Sequence, residues 1–150
     1  MTDRDASDLL AGYPEVLTGA EVAEILRIDP RTLAALAQSR QLPAFRAGTG
    51  VKAGWRFDKR RIVAVIEGRD PWEELPPLLE QFGPVLTAQE VATFLRYERA
   101  TVAQMASAGA LPGAFKISTA RAQWRFNKHP LLELMEPPRP EATPDGAPPE

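Results

Sequence analysis

Val16-Leu-Thr-Gly-Ala-Glu-Val-Ala-Glu-Ile-Leu-Arg27 is followed, 69 positions later, by Val85-Leu-Thr-Ala-Gln-Glu-Val-Ala-Thr-Phe-Leu-Arg96. Leu42-Pro43 returns as Leu111-Pro112, and Trp55-Arg-Phe57 as Trp124-Arg-Phe126, at the same offset. The chain therefore reads as a gapless internal duplication. Roughly a third of the matched positions are identical, far more than unrelated segments share.

Each copy opens with a helix start. Thr18-x-x-Glu21 and Thr87-x-x-Glu90 are capping boxes, in which Thr accepts a free first-turn amide and Glu reaches back. Leu17 with Val22, and Leu86 with Val91, fit the accompanying hydrophobic staple. These two glutamates thus read as caps and not as catalytic groups. Val22, Ile25 and Leu26 form the inward face of the first helix, and Val91, Phe94 and Leu95 that of its copy. A second start follows at Asp29-Pro30, with Asp at the cap and Pro where its missing amide costs nothing. That helix runs to about Ser39 and turns Leu33 and Leu36 inward; Val102 and Met105 take those places in the copy. After Leu-Pro the chain forms two short strands around the tip Gly48-Thr-Gly50, with Trp55 and Phe57 on one face and Arg56 on the other. Asp58, and Asn127 in the copy, cap a third helix. It carries Ile62, Val65 and Ile66, or Leu131, Leu134 and Met135, toward the core.

Leu9, Leu10 and Tyr13 correspond to Leu78, Leu79 and Phe82, so each copy has a leading segment, read as a short helix. The expected organisation is a flexible N-terminus over 1–8, unit 1 over 9–67, a Pro-rich linker over 68–77, unit 2 over 78–136, and a disordered acidic Pro-rich tail over 137–150. Trp72 and Leu75, at helical spacing, are expected to dock on a unit.

The net charge of −2 hides an uneven distribution. Residues 16–69 hold ten Lys and Arg against five acids, and 85–135 hold six against three. The acids concentrate before, between and after the units, so two basic modules sit among acidic segments. There is no cysteine, hence no disulfide, thiol nucleophile or thiolate metal site. No apolar run approaches membrane-spanning length and no signal peptide is apparent, so the expected location is cytoplasmic. His129 is the single histidine, no metal-ligand spacing appears, and no glycine loop resembles a phosphate cradle. An enzyme, a cofactor and a metal are therefore not expected.

The combination of Leu-Thr-x-x-Glu-Val-Ala-x-x-Leu, a Thr-bearing second helix, Leu-Pro-x-Phe-Arg, Trp-Arg-Phe and a closing helix resembles the excisionase-like winged helix-turn-helix proteins, relatives of the MerR DNA-binding domain. Leu26-Arg-Ile-Asp-Pro-Arg-Thr32 also looks like the small actinobacterial developmental regulators of that superfamily. The resemblance covers both copies and implies a mainly α fold with small β-wings, a tandem winged helix-turn-helix. It also implies that the second helix enters the DNA major groove while the wing reaches the backbone or minor groove. On matching positions, the second helix offers Arg31, Thr32, Ala35 and Gln38, and the wing Arg46 and Lys52, with Arg56, Lys59 and Arg60 near its base. In the copy the set is Arg99, Thr101 and Gln104, with Lys116, Arg121, Arg125 and Lys128. Arg and Gln can make bidentate contacts to base edges, Thr and Ala can touch a thymine methyl, and the wing cations suit phosphates. Ala34-Ala35 is a poor reading surface, and Ala100 and Ala103 make the copy poorer.

The expected function is double-stranded DNA binding at direct-repeat sites, by a transcriptional regulator or an excisionase-type directionality factor. Two modest readers on one chain gain through effective concentration. The alternative is a protein-interaction adaptor, antitoxin-like or small-terminase-like, on the same scaffold. Partners under either reading include a recombinase or regulator, or a second copy bound through unit 2 or the Trp72 linker.

Overall fold

The computed structural model describes residues 6–46, 54–117 and 123–140. Residues 1–5 of the N-terminus expected to be flexible over 1–8, the tip 47–53 with Lys52, the segment 118–122 with Arg121, and residues 141–150 of the expected tail lie outside them, and residues 6–8 fall in a helix instead.

Both capping boxes form. Thr18 N–H donates to Glu21 Oε1 at 3.0 Å and Glu21 N–H to Thr18 Oγ1 at 3.2 Å. Thr87 and Glu90 repeat this at 3.0 and 3.1 Å. They start α2 (Gly19–Leu26) and α5 (Ala88–Leu95). Each helix ends on an arginine in the left-handed region, Arg27 at φ 60° and Arg96 at φ 65°. A side chain there costs on the order of 1–2 kcal/mol. The tight turn recovers part of that cost, with Ile28 N–H and Tyr97 N–H bonding back to Ala23 O and Ala92 O, each at 3.0 Å. The second helices then begin, α3 (Pro30–Gln38) and α6 (Arg99–Ser107). Asp29 Oδ1 accepts from Arg31 N–H at 2.7 Å, whereas Glu98 makes no side-chain cap bond.

The β-structure exceeds the two-stranded wing expected from sequence. The Val-Leu-Thr ahead of each capping box is itself a strand, so each unit holds a three-stranded antiparallel sheet. Unit 1 has β1 (Val16–Thr18), β2 (Ala44–Phe45) and β3 (Arg56–Asp58), in the order β1-β3-β2. Unit 2 has β4 (Val85–Thr87), β5 (Ala114–Lys116) and β6 (Trp124–Asn127), in the order β4-β6-β5. Leu17, Phe57 and Ala44 lie in register and face the core, as do Leu86, Phe126 and Ala114.

That register corrects the gapless alignment. Ala44 pairs with Phe57 and Ala114 with Phe126, so the first wing strand matches at an offset of 70 while the second keeps 69. Phe45 therefore corresponds to Phe115, and Arg46 to Lys116. The inserted residue is Gly113, at φ +81°. A Cβ there would meet Asn127 O at 3.0 Å and Pro130 Cγ at 3.1 Å, so only glycine fits without displacement.

The closing helices are α4 (Lys59–Glu67) and α7 (Lys128–Leu134), capped by Asp58 and Asn127 as expected. The inward face of α4 differs from expectation. Ile62 is buried and Val65 half-buried, but Ile66 is exposed, while Arg61, Val63 and Ala64 are buried. Arg61 is buried because it anchors the linker, donating from Nη1 to Pro71 O and Glu73 O at 2.9 Å each. The leading segment is a helix only in unit 1, α1 (Ala6–Leu9). In unit 2 the same place holds Pro76-Pro77, which remove amides and restrict the preceding residues, and a turn replaces the helix. The buried leucine is kept in both, Leu10 and Leu79. The tail begins packed, since Trp72 Nε1 donates to Pro138 O at 3.0 Å and Arg139 Nη2 to Trp72 O at 2.9 Å. Trp72, expected to dock on a unit, is bonded instead to the start of the tail.

The two cores are not separate. Val16 and Phe45 of unit 1 belong to the apolar cluster built on unit 2. Both lie on the back of the first sheet, opposite Leu17 and Phe57. Burying a Val or Phe side chain stabilises by roughly 1.5–3 kcal/mol. Polar contacts ring this junction. Arg56 donates to Leu95 O at 2.8 Å and Arg96 O at 2.7 Å, and its guanidinium stacks 4.2 Å from the Tyr97 ring centre. Arg96 Nη1 reaches Glu21 Oε1 at 2.5 Å, and Tyr97 Oη donates to Gly54 O at 2.8 Å.

Candidate nucleic-acid interface

The outward face of α3 follows from its inward one. Leu33 and Ala37 are buried, and Arg31, Thr32, Ala35 and Gln38 are exposed on the other side. Asp29 fixes the helix start through the Arg31 amide and leaves the Arg31 guanidinium outward. At the far end, Gln38, Arg40, Arg46 and Trp55 line one groove with Phe45. Arg46 lies 4.2 Å from the Trp55 ring centre, a stacking that orients the guanidinium while keeping its charge. Arg40 was not among the sequence candidates. It follows the last turn of α3 at φ 64° and is exposed. Its position after the expected helix end gave the only signal.

Unit 2 offers less. Arg99 and Gln104 are exposed, but Thr101 is buried, against expectation. α6 buries Thr101, Val102, Met105 and Ala106, so its free face shrinks to Arg99, Ala100, Gln104 and Ser107. Lys116 sits 4.9 Å from the Trp124 ring centre and repeats the Arg46–Trp55 stacking.

Four further candidates are engaged inside the protein. Arg56 is committed to the carbonyls at the end of α5. Burial pulls its guanidinium below the usual range, with Tyr97 opposing that shift. Lys59 Nζ donates to Tyr13 O at 2.8 Å, and Lys128 Nζ to Phe82 O at 2.9 Å. These two lysines occupy the same place in the repeat and brace the leading segment. Arg60 pairs with Asp58 through two bonds, at 3.1 and 2.8 Å, and donates to Pro76 O at 2.9 Å. Arg125 is in part engaged, bonding Trp124 O at 3.0 Å and Gln123 Oε1 at 3.1 Å. His129 is exposed, with Nε2 3.4 Å from Glu133 Oε2, one turn along its own helix.

The structure thus brings Arg31, Thr32, Ala35 and Gln38 to one helix face and joins the end of that face to Arg46. It turns Arg56, Lys59, Arg60 and Lys128 to internal bracing. Among the described residues no helix is long and apolar enough to cross a membrane.

A profile described as "Helix-turn-helix domain" matches residues 16–70 and again 85–137. No curated protein and no solved structure matches the chain.

Proposed function

The chain belongs to the helix-turn-helix domain family of DNA-binding proteins in both halves, and on that premise we propose that it is a transcriptional regulator or an excisionase-type directionality factor that reads duplex DNA mainly through unit 1. The carrying observation is the exposed stripe Arg31, Thr32, Ala35 and Gln38 on α3, continued by Arg40 and Arg46. Arg31 supplies paired donors and Gln38 a donor beside an acceptor for base edges, and Arg46 supplies a phosphate contact. Unit 2 adds Arg99, Gln104 and Lys116 as a weaker reader. The lateral junction between units, with equivalent segments following one another in the same sense, supports direct-repeat sites. The place of action on this reading is the cytoplasm.

The test is selection of binding sites from random duplexes with the full chain, followed by a salt titration of the selected site. Selection of a direct repeat, with affinity falling steeply as salt rises, is the expected result. No enriched sequence, or binding indifferent to salt, overturns the reading.

One observation favours an added protein-binding role, adaptor-like in kind: the back of the unit 2 sheet is bare. Val85, Phe115 and Asn127 are all exposed there.

A further inference from the structure

The repeat allows the two units to be compared place by place, and what differs is what the junction covers. Val16 is 1% exposed, and its counterpart Val85 is 49% exposed. Phe45 is 4% exposed, and Phe115, which shares its register, is 40% exposed. Glu21 accepts from Arg96, whereas the bonds of Glu90 stay within its own capping box. Arg56 donates into unit 2, whereas Arg125 is left with Trp124 O and Gln123. Unit 2 covers the sheet back of unit 1, and the same back on unit 2 leaves Val85 and Phe115 exposed.

The complementary side shows the same asymmetry. On unit 2, Leu78 and Met135 line a crevice with Asp58, Arg60 and Arg61 of unit 1, and Met135 is 5% exposed. Their counterparts on unit 1, Leu9 and Ile66, are 57% and 45% exposed. The arginine matching Arg96 is Arg27, also left-handed and exposed. Val85, Phe115, Leu9 and Ile66 are four of the five large apolar side chains exposed among the described residues. Such patches mark interaction sites when they cluster. Here two of them lie on the sheet back of unit 2 and two on unit 1 at the places whose counterparts line the internal junction.

We infer that copies of this chain join head to tail, the bare sheet back of unit 2 receiving the Leu26–Arg27–Ile28 corner of the next copy's unit 1. The bonds are those of the internal junction carried along the repeat. Arg27 of the second copy pairs with Glu90, and Arg125 donates to its carbonyls at Leu26 and Arg27. Val85 and Phe115 are covered. Charge matches in both directions, since the corner carries the cation and the sheet back the carboxylate. Because the two surfaces differ, the contact does not close on itself as a two-fold dimer does and adds copies in a row. The joint is weaker than the internal one. Ile28 replaces Tyr97 and so forgoes both the hydroxyl bond and the stacked guanidinium, and no linker raises the effective concentration. Association therefore depends on concentration. It does not require DNA, so its failure leaves the DNA reading standing.

The test is sedimentation velocity of the full chain across a concentration series, without DNA. The expected result is a sedimentation coefficient that climbs with concentration past the dimer value. Phe115→Glu or Val85→Glu blocks one surface, and Arg27→Glu or Ile66→Glu the other. Each is an exposed position, and an unchanged urea midpoint shows that the variant is folded. Each variant alone is expected to remain monomeric. An equimolar mixture of Phe115→Glu and Arg27→Glu is expected to form one dimer and stop, because each chain retains the surface the other lacks. Three outcomes overturn the proposal: a monomer at every concentration, a mixture that does not pair, or association that survives Arg27→Glu and Ile66→Glu while Phe115→Glu abolishes it. The last would mean a closed dimer of two bare sheets.

Discussion

Arg96 Nη1 lies 2.5 Å from Glu21 Oε1, the oxygen that also accepts the amide of Thr18. One carboxylate therefore caps the first helix of unit 1 and receives the arginine that ends the first helix of unit 2. Glutamine can keep the cap but not the ion pair, so Glu21→Gln separates the two roles. The expected loss is about 1–2 kcal/mol in urea unfolding, within the range for a hydrogen bond to a charged group. Glu90→Gln, at the matching place without an arginine, is expected to change stability by less than about 0.5 kcal/mol.

The same pair sets an acid dependence. Burial works against the charged Glu21 carboxylate, but the Arg96 and Thr18 hydrogen bonds and the Arg96 charge outweigh it, so the group titrates below its usual 4.5. A carboxyl depressed in the folded state adds stability that is full above its unfolded value and disappears as pH falls through the folded one. The parent chain should therefore lose more stability than Glu21→Gln as pH falls below 4.5. Parallel pH curves for the two proteins would remove the pair from consideration.

On α3, Arg31→Ala should weaken binding to a selected site by about 10- to 100-fold, as expected for loss of one bidentate base contact. It should also relax preference at one base pair. Arg99→Ala in unit 2 should cost less, because the buried Thr101 leaves that helix a narrower free face. Quantitative footprinting of both variants distinguishes them, and equal losses would mean that the units read DNA alike.

Among the cations near the wing, Arg46 and Lys59 are expected to part company. Arg46→Ala should lower the slope of log affinity against log salt by about 1, as loss of one phosphate contact does. Lys59→Ala should leave that slope unchanged and lower stability by about 1 kcal/mol, since its ammonium holds Tyr13 O. Fluorescence anisotropy across salt concentrations, with urea melts, reads both effects.

Gly113→Ala should destabilise by about 1–2 kcal/mol, because positive φ and a 3.0 Å approach to Asn127 O act together. Gly109→Ala, at φ +79° with nothing within 4 Å, should cost less. Equal costs would show that conformation alone sets the price at Gly113.

Sequence carried the local part of this architecture. The capping boxes, Asp29-Pro30, the Asp58 and Asn127 caps and the alternation in Trp-Arg-Phe are decided within a few residues, and the structure keeps each of them. The exposed face of α3 was legible for the same reason, because turning Leu33 and Leu36 inward leaves Arg31 and Gln38 outward, and the structure adds Ala37 to the buried side. The one-residue slip at Gly113 was not legible, since identical Leu-Pro and Trp-Arg-Phe landmarks flank an insertion compensated within the wing.

What only the tertiary structure decided is which cations remain free. Arg56 and Arg125 sit in the same motif with the same local pattern, yet one is built into the joint and the other faces outward beside a bare sheet. Lys59 and Lys128 look like wing cations in one dimension and are braces in three. A side chain's reach of several ångströms spans segments dozens of residues apart, and the repeat itself does not say which copy covers the other. The duplication written in Val16–Arg27 and Val85–Arg96 determined two similar units, and packing one on the other made them unequal.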